Sequence, residues 1–292
     1  MQPNQGVDAS DSEGPSAGTV VVPLALSPTA AAVAVEGDRW AKILGAQTVM
    51  LHVGEENEAT RSRFEEILRE HGIEGARLEF NPGKPGATIS QVAGREKATL
   101  IVAGALEKEG ALAYFFGSVA RQMARQAPCS VLLLKEPRVE PHEHGRWVVT
   151  VSYDDESRGM LEYVAWLAQR AQPERIDVVM EYRLSGADWA LDGDLDAHNA
   201  AAHRSSFQRE EEARLADLLA GSSLAGANVR AVCLRGRVGH ASNEYAQLHD
   251  ADLLFALAPT HLGFWDRFFQ HGVEFALEYL PCALFLYRPV GT

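Results

Sequence analysis

Short apolar runs alternate with segments of helical spacing along this chain, and the alternation happens twice. Val20-Val-Val22, with Pro23 and Leu24 behind it, reads as a buried strand. Ser27 is placed to cap an Ala-rich helix reaching toward Ala46, with Pro28 at its first position. Thr48–Val53 forms a second strand. Phe64, Ile67 and Leu68 then recur at helical spacing until Gly72 ends the helix. Ala76–Phe80 alternates like a strand, Gly83 and Gly86 turn the chain, and Ile89 and Val92 mark a helix face. Leu100–Ala103 is a further strand, a helix runs from Ser118 to Arg125, and a last strand ends at Lys135. Strands alternating with helices at this pitch predict an α/β fold with a doubly wound parallel sheet.

A linker at 138–145, rich in Pro, Glu and His, precedes a second round. Trp147–Val151, the turn Ser152–Ser157, a helix with Leu161, Val164 and Leu167, and the strand Ile176–Met180 repeat the opening. Asp154 matches Ser27 at an offset of roughly 127, whereas Pro281 matches Pro128 and Gly239 matches Gly86 at roughly 153. About 26 extra residues therefore lie between the second strand of this round and Gly236. They are assigned to 182–206, either as a surface excursion or as an N-terminal extension of the helix holding Phe207, Ala213 and Leu218. The expected division is a disordered tail at 1–19, a first domain at 20–137 and a second at 146–292.

Length agrees with that division, since 292 residues suit two domains of about 130 to 150 better than one core. Forty Asp and Glu against 27 Lys and Arg leave a formal net charge of −13. With no basic cluster to offset it, that charge repels polyanions and argues against nucleic-acid partners. Met1–Thr19 is polar and lacks the basic start and apolar core of a signal peptide. Val20–Val35 is too short to span a bilayer and is broken by Pro23 and Pro28, so a cytoplasmic protein away from membranes is expected. Three cysteines make no disulfide framework. Cys129 and Cys282 precede matching apolar strands and read as small buried hydrophobes, and Cys233 lies in the alternating run Val229–Leu234.

The candidate chemistry sits between two of these runs. Gly104-Ala-Leu-Glu107 ends a buried strand, and Phe116-Gly117-Ser118-Val119 opens a helix. A helix N-terminus with free N–H groups, a small residue and a hydroxyl can cradle an anion; a tight strand–helix connection needs small residues as well. Together with Ala127-Pro128-Cys129 leading into the last strand, these residues resemble the universal stress protein family in its tandem form. That family carries Gly-x2-Gly-x9-Gly-(Ser/Thr) here. Gly104, Gly117 and Ser118 match, and Glu107 stands at the second glycine.

The resemblance implies two domains of the adenine-nucleotide α-hydrolase-like type, each with a five-stranded parallel sheet, fused as a pseudo-dimer. It implies pairing of the last strands, Ser130–Leu134 and Ala283–Leu286, antiparallel across the internal dyad. It also implies ATP, with Gly104, Gly117 and Ser118 at the phosphates and ribose and the Val53 main chain near the base. Two departures oppose that site. An acidic residue that the family keeps after its first strand aligns with Ala25, and with Ser152 in the second round. Glu107 adds a carboxylate, whose repulsion of a phosphate charge at about 4 Å ranges from about 1 to about 4 kcal/mol with the local dielectric. In the second round Leu257, Thr260, Gln270 and His271 replace Gly104, Glu107, Gly117 and Ser118, so no phosphate cradle is expected there. Trp265, Phe268 and Phe269 supply an apolar lid, a partner surface or core in that segment.

Other constellations are weaker. His142 and His144 lack the third ligand and rigid frame of a zinc site. Asp192, Asp194 and Asp196 lack the closing glutamate of a calcium loop. No nucleophile elbow or Walker loop is present. The expectation is a non-catalytic stress-response or regulatory binding protein with a degenerate nucleotide site in the first domain. An ATP-binding switch or slow ATP hydrolase working through that domain is the alternative. A homodimer or a protein partner completes the expected interactions.

Overall fold

The computed structural model describes residues 18–104, 118–140, 145–182, 197–224, 228–236, 239–258 and 280–289. The first half contains β1 (Thr19–Pro23), α1 (Ala30–Leu44), β2 (Gln47–His52), α2 (Glu58–Glu70), β3 (Arg77–Phe80), α3 (Pro85–Arg95), β4 (Ala98–Gly104), α4 (Ser118–Gln126) and β5 (Ser130–Leu134). The second contains β6 (Arg146–Val151), α5 (Asp155–Ala171), β7 (Arg175–Tyr182), α6 (Ala197–Ala220), β8 (Val229–Arg235), α7 (His240–Leu248), β9 (Leu253–Leu257) and β10 (Ala283–Tyr287).

All ten strands form one sheet in the order β3-β2-β1-β4-β5-β10-β9-β6-β7-β8. Each half is parallel throughout, and the halves meet where β5 and β10 pair antiparallel, Leu284 opposite Leu133 and Leu286 opposite Val131. The fold is thus the expected α/β architecture, with two five-stranded parallel halves joined through their last strands. Helices cover both faces, so a central strand has no solvated side and reads as an unbroken apolar run. In β1, Val20 and Val22 join the core under α1, α2, α5 and α6, while Val21 joins the core under α3, α4 and α7. The first of these cores crosses the seam: Trp40 packs 6.0 Å from Phe285, which lies 4.9 Å from Phe255.

Three local expectations are corrected. Ser27 does not cap α1. It belongs to a turn whose carbonyl accepts from the Ala30 N–H at 3.2 Å, so the helix begins at Ala30 with Thr29 as its uncapped leading residue. Gly86 is no turn residue but lies in the first turn of α3, where a Cβ would come within 2.3 Å of Gln122 on α4. Gly83 alone makes the turn, at φ 144°, a conformation that side chains rarely adopt. For the inserted residues the structure chooses the helical extension over 197–206: α6 has 24 residues where α2 has 13. Residues 183–196 lie outside the described residues.

Candidate functional site

The path of the chain reverses direction beside β1. After β1 it builds outward to β2 and β3, then returns to place β4 on the other flank. In such sheets the crevice at the carboxyl ends of the strands is where ligands enter. Val53 follows β2 directly and Gly104 ends β4, so both stand on that edge with β1 between them. Ser118 opens α4, the helix after β4. Glu107 and Gly117 lie outside the described residues.

Gly104 is small for a reason visible in the packing. A Cβ at that position would lie 2.9 Å from Val33 Cγ2 on α1, so a larger residue requires the Val33 side chain or the helix to shift. The neighbouring strand ends are laced together. His52 donates from Nδ1 to the Leu24 carbonyl at 2.8 Å, and the Leu24 N–H donates to Leu51 at 2.8 Å. Asn81 and Gly54 continue the ladder with bonds of 3.0 Å each. The His52 ring packs 5.1 Å from Phe64 and 5.7 Å from Phe80. The Arg61 guanidinium lies over Phe80 and holds the Glu56 carboxyl below its usual range through a hydrogen bond. The main chain on both sides of Val53 is therefore hydrogen-bonded within the fold.

The second half uses the same edge differently. In the observed register Val49 sits opposite Val21 and Asp177 opposite Val148, so Glu181 takes the place of Val53. Its carboxylate accepts from the Gly239 N–H at 2.6 Å and the Ser242 N–H at 2.7 Å, capping α7. A protein carboxylate thus occupies a helix N-terminus that would otherwise attract an anion. In the first half the corresponding helix, α3, starts at Pro85 without a side-chain cap. Leu257 is buried at the end of β9 where the first half has Gly104. On the other face Tyr153 donates to Glu211 at 2.9 Å beneath the Arg214 guanidinium, and burial together with that bond pushes its hydroxyl pKa up. Thr260, Gln270 and His271 lie outside the described residues.

Glu181 is a site residue that motif reading misses. The signal was present: laying Ile176–Glu181 over Thr48–Val53 sets the glutamate against Val53, but the glycine motif does not extend to the second strand.

Cys129 and Cys282 are buried, and burial pushes both thiols up to about 12, as inert small hydrophobes require. Among the described residues no group of His, Cys, Asp and Glu is arranged to hold a metal, and no helix is long and apolar enough to cross a membrane. His142, His144 and Asp192, Asp194 and Asp196 lie outside the described residues.

Comparison with known proteins agrees with this geometry. Residues 17–135 match the model of the universal stress protein family. A universal stress protein of Methanocaldococcus jannaschii is 33% identical over 86 residues, which take in 30% of this chain and 50% of that relative. The chain thus spans about half the length of the curated relative it matches. A functionally unknown protein from Pseudomonas aeruginosa superposes with a TM-score of 0.64 at 17% identity, covering 94% of each chain. A universal stress protein from Archaeoglobus fulgidus superposes at 0.59 and 15% identity, covering 94% of this chain and 100% of its own. Residues 17–135 are thus similar to the universal stress protein family, and both halves carry the fold of a solved universal stress protein.

Proposed function

We propose that this chain is a non-catalytic stress-response binding protein with one weakened adenine-nucleotide site, in its first half. Val53, Gly104, Gly117 and Ser118 form that site. The second half, closed by Glu181 and Leu257, holds no nucleotide. The observation that carries the reading is the contrast at the carboxyl edge. The first half keeps a side-chain-free Gly104 beside the reversal point and leaves α3 uncapped, while the second half fills both positions with its own side chains. Ligand binding to the native state stabilises it by mass action, so occupancy reads directly as a shift in melting temperature.

Calorimetric titration of the full chain with ATP tests the proposal. The expected result is weak binding with one site per chain. Glu107→Gly should bind more tightly than the parent, and more tightly than Glu107→Gln, because it removes charge and restores backbone freedom together. Gly117→Asp should abolish binding. Two equivalent sites per chain would contradict closure of the second half, and Glu107 variants that bind no better than the parent would make the loop a purely structural connection.

A further inference from the structure

The internal dyad is broken at one place on the seam, and the break opens a cleft of about 260 Å³. It lies where β5 runs out and β9 and β10 begin, on the face covered by α1. The dyad relates Glu36 on α1 to Tyr163 on α5, and Leu134 at the end of β5 to Tyr287 at the end of β10. On the other side of the seam the two tyrosine rings close the space, with centroids 5.1 Å apart and Tyr163 5.7 Å from Phe285. On this side the shorter pair, Glu36 and Leu134, leaves the space open.

The lining is polar and graded. Glu36 is only 3% exposed and has Arg39 Nη1 3.7 Å from its Oε1. Asp252 adds a second carboxylate, which accepts the Arg146 N–H at 2.8 Å. Lys135, half-buried, donates to the Pro281 carbonyl at 3.2 Å, and Arg138 is an exposed guanidinium 3.7 Å from Glu136. Glu36 lines an open cleft at a position where the dyad-related residue is an aromatic filler. The volume falls below the roughly 300 to 1,000 Å³ of pockets for drug-sized molecules, so the occupant is small.

We propose that this seam cleft binds a short molecule with an ammonium group at one end and an anionic group, carboxylate or phosphate, at the other. The ammonium sits against the buried Glu36, and the anionic end meets the exposed Arg138. The site is independent of the nucleotide reading, because Glu36, Asp252 and Arg138 take no part in the edge described above.

Calorimetric titration of the full chain without nucleotide tests it. The probes are 6-aminohexanoate for the carboxylate class and phosphoethanolamine for the phosphate class, with hexanoate and hexylamine as one-ended controls. The expected result is saturable binding of at least one zwitterion, weakened about tenfold or more by Glu36→Gln or by Arg138→Ala. Arg138 is exposed, so its variant tests the site even where Glu36→Gln perturbs folding. Failure of both zwitterions to bind the parent overturns the proposal. So does binding that neither variant changes, or a one-ended control that binds as well as the zwitterions.

Discussion

Asp154 shows how much one side chain decides at the start of a helix. It accepts the Ser157 N–H at 2.7 Å and the Ser152 hydroxyl, capping α5 as Ser27 fails to cap α1. Burial pushes its carboxyl up, but the hydrogen bonds from Ser152 and Ser157 outweigh burial and hold it below the usual aspartate range. A folded-state pKa below the unfolded value of about 3.9 contributes stability above that pH, which is lost as pH falls through the folded value. Asp154→Asn should therefore melt below the parent at neutral pH, and the gap should narrow as pH drops below about 4. Thermal melts across that range check it, and a gap independent of pH would show that the charge contributes nothing. Asp154 was legible in the sequence as the match of Ser27. The failure of Ser27 was not, because the turn at Ser27–Thr29 depends on where α1 docks over β1.

At the scale of elements, the two halves differ most in α6. Leu215 and Leu218 bury its last turns as Phe64 and Ile67 bury those of α2, while Glu211 takes the place of Thr60. Helix before residue 208 has no counterpart in the first half. Such an extension adds length without adding to the shared core. Ser205→Pro should restart the helix at the proline, whose missing N–H is tolerated at a first helical position. Hydrogen exchange should then show lost protection before residue 205 and unchanged protection at Leu215 and Leu218. The melting temperature should move by no more than about 4 °C. Deprotection at Leu215 would mean that the extension and the packed turns form one cooperative unit. Spacing alone gave an excess of about 26 residues. It left their conformation open, because a helix and a loop of equal length satisfy the same offset.

For the whole molecule, the seam determines whether the halves behave as one body. Trp40 of the first half touches Phe285 of the second, and Phe285 continues through Phe255 to Trp147. A core shared in this way should unfold in a single transition with denaturant. Leu284→Asp places a charge in the buried ladder opposite Leu133 and should cost about 3 kcal/mol or more. Urea titration followed by circular dichroism checks both, and two separate transitions in the parent would show that the halves are thermodynamically independent.

By itself the sequence determined the strands, the repeat and the fold class, because strands buried on both faces must be apolar throughout and their connections carry helical spacing. It also marked Gly104, whose bareness is a local demand of strand and helix packing. Register across the sheet, and what lies opposite what, belonged to the tertiary structure. The repeat offsets pair Glu181 with Val53, but only in the tertiary structure is Glu181 seen to cap α7, and only there do the Tyr163 and Tyr287 rings pack together where Glu36 and Leu134 leave a cleft. Side chains separated by a hundred residues meet through the sheet, and neither composition nor spacing encodes which of two equivalent positions is filled and which is left open.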